Sequence, residues 1–87
     1  MIALITGASS GIGRAMAVGF AKRGFNLIVV ARRRQRLLEL KEEVQEKYGV
    51  KVRCFCHDLS RTEECLRLFE EVSRVNVDVV VNSAGFG

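Results

Sequence analysis

The chain has 87 residues, of which 48% are hydrophobic and 28% charged, with no proline and a net charge of +4. These values predict one small globular domain and exclude a disordered or fibrous chain. No basic leader precedes the first apolar run, and no apolar stretch reaches about 18 residues. We therefore expect neither a signal peptide nor a membrane span, and we predict a cytoplasmic location.

Strand-like and helix-like patterns alternate along the chain. Strands are predicted at Ile2–Thr6, at 27–30, at 50–56 and in the valine-rich segment 77–81. Apolar stripes predict three intervening helices: Ile12, Met16, Gly19 and Phe20 in the first, Leu37, Leu40, Val44 and Tyr48 in the second, and Cys65, Leu68, Phe69 and Val72 in the third.

The ends of these helices also have sequence signals. Gly24 and Gly49 follow the first two stripes and are predicted to end those helices, because glycine readily adopts the left-handed conformation found there. Ser60 and Glu63 have the spacing of a capping box and predict the start of the third helix.

The element order β-α-β-α-β-α-β predicts an α/β fold with a parallel sheet and right-handed crossovers. A doubly wound sheet would have the strand order 3-2-1-4, with a topological switch point between strands 1 and 4. Two helices would then cover one face of the sheet and the third helix the other. The valine-rich fourth strand would form an exposed edge, so we predict self-association through this edge or the half-covered face.

Three glycines lie between the first strand and the first helix. Gly7, Gly11 and Gly13 allow a sharp turn and a close approach of backbone to ligand. The helix behind them would direct free N–H groups at an anion, most often the pyrophosphate of a dinucleotide. Their position in the first βαβ unit supports phosphate binding over an ordinary turn.

Three motifs together resemble the short-chain dehydrogenase/reductase family. They are Thr6-Gly7-x-x-x-Gly11-Ile12-Gly13, Asp58-Leu59 after the third strand, and Asn82-Ser83-Ala84-Gly85 after the fourth. The resemblance implies a Rossmann-like fold, of which 1–87 would form a single, partial NAD(P)-binding domain, the N-terminal cofactor-binding half. It also implies that the glycine loop holds the pyrophosphate, that Asp58 reaches the adenine, and that the Asn82 loop lines the adenine ribose. The alternative is that Asp58 shapes the turn in which it lies and has no role in binding. Ser83 departs from the family, in which many members have a second asparagine.

The end of the second strand favours NADP(H) over NAD(H). An NAD-selective site places a carboxylate there to bind the ribose 2′-OH, whereas Ala31 is followed by Arg32 and Arg33, with no carboxylate before Glu39. Guanidinium groups can hold a 2′-phosphate through paired hydrogen bonds. The alternative is a solvated helix start, although cations are disfavoured at that end of a helix. Arg14 could assist binding or lie on the surface.

The predicted cofactor-binding residues are Gly7, Ser9, Ser10, Gly11, Ile12, Gly13, Arg32, Arg33, Asp58, Leu59, Asn82, Ala84 and Gly85.

A catalytic group is not predicted within the chain. Members of the family use serine together with a Tyr-x-x-x-Lys pair that lies beyond the position of residue 87. Here Tyr48 has Val52 four residues later, and Lys51 comes one residue too early. The chain is therefore predicted to be the NADP(H)-binding portion of a carbonyl/alcohol oxidoreductase, inactive alone. The alternatives are a self-associating binding module and an enzyme whose catalytic groups come from a partner.

The remaining polar and basic residues favour structural roles. The chain has three cysteines, and this odd number predicts reduced thiols at Cys54, Cys56 and Cys65. We interpret Cys54 and Cys56 as core residues of the third strand, with a metal site as the alternative. His57 is expected to be structural or solvent-facing. The arginine cluster has no interleaved aromatic residues, so we predict no nucleic-acid partner.

Overall fold

The computed structural model describes residues 1–9 and 11–83. Its elements are β1 (Ile2–Thr6), α1 (Gly11–Lys22), β2 (Asn26–Ala31), α2 (Arg34–Tyr48), β3 (Val52–Cys56), α3 (Thr62–Val72) and β4 (Val79–Asn82). The four strands are parallel, and their order is β3-β2-β1-β4. The predicted Rossmann-like, doubly wound sheet is therefore confirmed, including the switch point between β1 and β4.

The helices cover the two faces of the sheet unequally, as predicted. On one face, Leu37, Leu40 and Val44 of α2 pack in a core cluster that also includes alanines of α1 and residues of β1 and β2. On the other face, Leu68 of α3 contacts a smaller cluster formed by Leu4, Ile28 and Val30. The first face thus holds most of the core, and α3 alone covers the second.

The stripe predicted for α1 is wrong by one residue. The buried positions are Gly13, Ala17 and Ala21, whereas Ile12 is 57% exposed and Met16 40% exposed. The reason is steric, because α1 begins so close to the end of β1 that only the smallest residues fit between them. Ile12 and Met16 therefore point away from the sheet, whereas Phe20, also in the predicted stripe, packs against the core cluster as predicted.

Glycine ends α1 and α2 as predicted. Gly49 has φ +67° and donates its N–H to the Gln45 carbonyl, while Gly24 has φ +84° and donates to the Ala21 carbonyl. The capping box at the start of α3 is wrong, since the helix begins at Thr62 and has no side-chain cap. Ser60 instead hydrogen-bonds Asp58, as described below.

Two other predictions of burial are only partly correct. Val52 of β3 is buried, but Cys54 is half-buried and Cys56 is exposed. β3 is an edge strand, which leaves the end of this face uncovered. In α3 only Leu68 is fully buried, and Phe69 is 71% exposed.

Candidate functional site

An open cleft of about 1010 Å³ lies at the carboxyl ends of the parallel strands. This volume is at the upper end of the range of about 300–1,000 Å³ that is usual for ligand sites. The cleft is at the β1/β4 switch point, where open α/β sheets bind their ligands. Eight of the predicted binding residues line it: Gly7, Ser9, Gly11, Arg32, Arg33, Asp58, Leu59 and Asn82.

The floor of the cleft is the turn that connects β1 to α1. Gly7 has φ +66°, a conformation that side chains with a Cβ rarely adopt. Apart from its chain neighbours and its own helix, a Cβ built on Gly11 would meet no atom of the described residues within 4 Å, so this position faces open space. A backbone turn at a helix N-terminus with free space in front of it suits an anion.

Gly13 has a different role from Gly11. A Cβ at this position would lie 2.2 Å from the carbonyl oxygen of Gly7 and 2.6 Å from Oγ of Ser83. These distances are much shorter than van der Waals contact, and the nearest atom belongs to the backbone. Gly13 is buried beneath the cleft and does not line it, so it sets how closely α1 approaches β1.

Side chains at the end of β4 fix the turn to the sheet. The Ser83 hydroxyl donates to the Thr6 carbonyl and lies 3.5 Å from the Gly7 carbonyl. The Thr6 hydroxyl in turn donates to Oδ1 of Asn82 over 2.8 Å. Ser83 is almost fully buried, and a small hydroxyl suits the narrow space between the two loops. Serine at position 83, in place of the family's asparagine, therefore has a structural role in this chain.

A basic wall, formed by Arg32, Arg33 and Arg36, follows the end of β2. All three side chains are exposed, and no salt bridge involves them among residues 1–9 and 11–83. Arg33 occupies the N-cap position of α2 without a side-chain cap, and the first turn of α2 has no acidic residue. Cations at this end of a helix destabilise it unless an anion lies nearby.

Asp58 and Leu59, which follow the neighbouring strand β3, form another part of the cleft wall. Oδ1 of Asp58 accepts hydrogen bonds from the Ser60 hydroxyl at 2.6 Å and the Ser60 amide at 3.0 Å. The hydrogen bond from the Ser60 hydroxyl has the largest effect in lowering the pKa of Asp58, followed by the bond from the Ser60 amide. The nearby positive charges of Arg32 and Arg61 lower this pKa further. The side chain is therefore a carboxylate at neutral pH.

Two glutamates of α3 contact this part of the wall, one at the Asp58 backbone and the other at the His57 ring. Oε1 of Glu64 accepts the Asp58 amide proton at 2.8 Å and lies 3.7 Å from Nδ1 of His57. Nε2 of His57 is 3.1 Å from Oε1 of Glu71. His57 is thus a packed residue of the cleft wall, in agreement with the structural role predicted for it.

Two of the predicted residues that the structure describes do not line the cleft. Ile12 is largely exposed, and Gly13 is buried below the turn. Ser10, Ala84 and Gly85 lie outside the described residues. Arg14, for which two roles were considered, forms an ion pair with Glu43 of α2, which favours the surface role.

Sequence reasoning missed three residues of the site. Arg36 lines the cleft from the first turn of α2, and its place in the same arginine-rich segment as Arg32 and Arg33 could have indicated this. Thr6 acts through a hydrogen bond to Asn82, 76 residues away, and Glu64 through a hydrogen bond to the amide of Asp58, across the turn that precedes α3. No local pattern indicates such partners.

Comparison with known proteins tests the resemblance directly. A family model described as short chain dehydrogenase matches residues 1–87, the whole chain. The chain belongs to the short chain dehydrogenase family. The curated members to which it is similar include a very-long-chain 3-oxoacyl-CoA reductase from Kluyveromyces lactis, 41% identical over 85 residues, which are 95% of this chain and 25% of that protein. An 11-beta-hydroxysteroid dehydrogenase B from Sesamum indicum is 41% identical over 88 residues, 99% of this chain and 24% of that protein.

Solved structures of the short chain dehydrogenase family share the fold of the chain. L-sorbose reductase from Gluconobacter frateurii, complexed with NADPH and L-sorbose, has a TM-score of 0.88 and 42% identity over 97% of this chain and 33% of its own. An alcohol dehydrogenase from Thermococcus sibiricus, complexed with 5-hydroxy-NADP, has a TM-score of 0.85 and 37% identity over 91% of this chain and 34% of its own. The chain spans about a quarter of the length of the curated family members it matches.

None of the helices in the described part of the chain has the length and hydrophobicity needed to cross a membrane. Across residues 1–9 and 11–83, no three His, Cys, Asp or Glu side chains are grouped as metal ligands would be.

Proposed function

We propose that the chain binds NADP(H) in the cleft and is the cofactor-binding portion of an oxidoreductase that interconverts carbonyls and alcohols. The proposal treats 1–87 as one partial domain. It assigns the thirteen residues predicted from the sequence to the cofactor, with Gly13 acting from beneath the turn. NADP(H) would supply the hydride, and the residues of this chain would bind and orient it.

The observation that carries the proposal is the basic wall at the end of β2. Arg32, Arg33 and Arg36 line the same cleft as the glycine turn. β2 ends at Ala31, where a carboxylate would be needed to bind an unphosphorylated ribose. A 2′-phosphate would neutralise these guanidinium groups and accept paired hydrogen bonds from them.

The glycine turn supports binding of the pyrophosphate at the other end of the same cleft. The residues present fit this group, because a Cβ on Gly11 would occupy otherwise empty space at the start of α1. Gly7 provides the required positive φ, and Gly13 permits the close contact below it. L-sorbose reductase and the Thermococcus alcohol dehydrogenase, which have this fold, were both solved with NADP-type ligands.

We assign catalysis to none of the described residues. Tyr48, the one tyrosine of the chain, packs against the core on the α1/α2 face of the sheet and lies at the end of α2. Gly49 then ends the helix in the left-handed conformation, so Lys51 does not share a helical face with Tyr48. A tyrosine in this environment has no access to a substrate in the cleft.

The test is a direct titration of the chain with NADPH and with NADH. We expect NADPH to bind at least about tenfold more tightly, because a hydrogen bond to a charged group contributes roughly 1.5–3 kcal/mol. Arg32→Asp should remove this preference, since its carboxylate repels a 2′-phosphate and can accept from a 2′-OH. The control is Arg23→Asp, which makes the same change of charge beyond the far end of α1. Equal affinities for the two cofactors, unchanged by Arg32→Asp, would refute the NADP(H) assignment.

A second candidate function is assembly with another copy of the chain. Val80 of β4 is 64% exposed on the α3 face of the sheet, and α3 exposes Leu66 at 61% and Phe69 at 71%. Apolar side chains of this size at an open sheet edge favour a partner surface. Light scattering would then give a dimer or larger species, whereas a monomer at high concentration would refute it.

The cytoplasmic location and the lack of nucleic-acid and membrane partners stay predictions.

A further inference from the structure

One face of α3 combines an apolar anchor with two acidic side chains. Leu68 lies in the core, and Glu64 and Glu71 are placed one turn before and one turn after it. Both carboxylates reach the segment that follows β3: Glu64 contacts the Asp58 amide, and Glu71 contacts the His57 ring. The side chain of Glu64 is 26% exposed, so water screens its contact only in part.

The contact to Glu64 completes the restraint of Asp58. Its amide donates to Glu64, and one carboxylate oxygen, Oδ1, accepts from Ser60 twice. In the part of the chain that the structure describes, no donor contacts the other oxygen, Oδ2. Because Asp58 lines the cleft, Oδ2 is the acceptor that remains for a ligand.

We propose that Glu64 is a positioning residue for the adenine end of the cleft, holding the Asp58 backbone so that Oδ2 meets the exocyclic amine of the base. This inference rests on the proposed function, because it needs a purine dinucleotide in the cleft. It goes beyond the proposed function by giving a positioning role to a carboxylate on α3 that does not itself touch the ligand.

A merely structural role for Glu64 makes a different prediction. A carboxylate in the first turn of a helix stabilises that helix through the macrodipole, and Glu63 occupies the same turn. Glu63 is exposed, and in the part of the chain that the structure describes no hydrogen bond or ion pair joins its side chain to the Asp58 segment. Glu63→Ala therefore removes the same favourable charge without releasing the Asp58 amide, which makes it a matched control for Glu64→Ala.

The experiment compares two ligands that differ only in the base. NADPH has an exocyclic amine at C6, whereas its hypoxanthine analogue has a carbonyl oxygen there that cannot donate to Asp58. We expect the unmodified chain to bind NADPH about tenfold more tightly than the analogue, as a lost hydrogen bond to a carboxylate implies. Glu64→Ala should reduce this ratio to below about threefold, and Glu63→Ala should preserve it.

Two further variants separate positioning from loss of folding. Glu64→Gln keeps a carbonyl oxygen for the Asp58 amide and should retain the ratio. In an Asp58→Ala background, Glu64→Ala should cause no further loss of NADPH affinity, because residues that act through one another are not additive. Retention of the full ratio by Glu64→Ala would overturn the inference while leaving the proposed function intact. Failure of the unmodified chain to bind NADPH would overturn both.

Discussion

Two glycines in the β1–α1 turn should respond in opposite ways to the same substitution. The Cβ of Gly13→Ala would lie 2.2 Å from the Gly7 carbonyl oxygen, about 1 Å inside the closest ordinary contact, and would also meet Ser83. Overpacking of this kind costs about 3 kcal/mol when backbone has to move. In a chain of 87 residues that loss corresponds to a decrease in Tm of about 10–20 °C.

Gly11→Ala adds the same methyl group where no atom lies within 4 Å. Its backbone φ is not positive, so alanine fits and should change the free energy of unfolding by less than about 1 kcal/mol. NADPH affinity should nevertheless fall about tenfold or more, because the methyl group occupies the space assigned to the pyrophosphate.

Thermal denaturation by circular dichroism and NADPH titration of both variants test this pair. The reasoning about close packing fails if Gly13→Ala unfolds at the temperature of the unmodified chain. The assignment of the pyrophosphate fails if Gly11→Ala binds NADPH unchanged.

Two other predictions concern titration and thiol chemistry. The pKa of Asp58 is lowered in the folded chain, so the carboxylate stabilises the fold above its unfolded pKa of about 4. This stabilisation is lost as the pH falls below that value. In urea titrations between pH 2 and 6, the free energy of unfolding should therefore depend less on pH for Asp58→Asn than for the unmodified chain. Burial raises the pKa of the Cys54 thiol, partly offset by Lys41, so iodoacetamide should modify Cys54 more slowly than the exposed Cys56 and Cys65. Because Cys65 lines the cleft and Cys56 does not, NADPH should protect only Cys65 from alkylation, as mass spectrometry of the labelled peptides would show.

The strand order could be predicted from the sequence because it follows from general rules. Alternation of strands and helices specifies right-handed parallel crossovers, and the glycine turn marks β1. The continuous apolar run of β2 indicates a strand covered on both faces, as the structure has it. These signals are local, and each is read from a few neighbouring residues.

The errors have different physical causes. In α1 a tertiary contact overrides the local pattern: the helix buries Gly13, Ala17 and Ala21 because it approaches the sheet too closely for the larger Ile12 and Met16. At the start of α3 a competing local hydrogen bond prevails. Asp58 binds Ser60, which removes that serine from its predicted capping role.

The residues of the candidate site also fall into two groups, those that local motifs predict and those that depend on contacts formed on folding. Gly7, Gly11, Arg32 and Arg33 lie in the segments that follow β1 and β2, so local motifs predicted them as binding residues, and the structure places them on the cleft. Ser83 contacts Thr6, 77 residues away, and Glu64 contacts Asp58 across a loop. Such contacts exist only after folding, and no spacing in the sequence indicates them.

Binding of NADP(H) at the carboxyl ends of the strands is the central claim, and amide NMR of the ¹⁵N-labelled chain tests it most directly. During titration with NADPH, we expect the largest shift changes at Gly7, Gly11 and Arg33, and smaller changes at these sites with NADH. Absence of saturable changes would contradict the claim. So would changes confined to the amino ends of the strands, near Lys51 and Arg53.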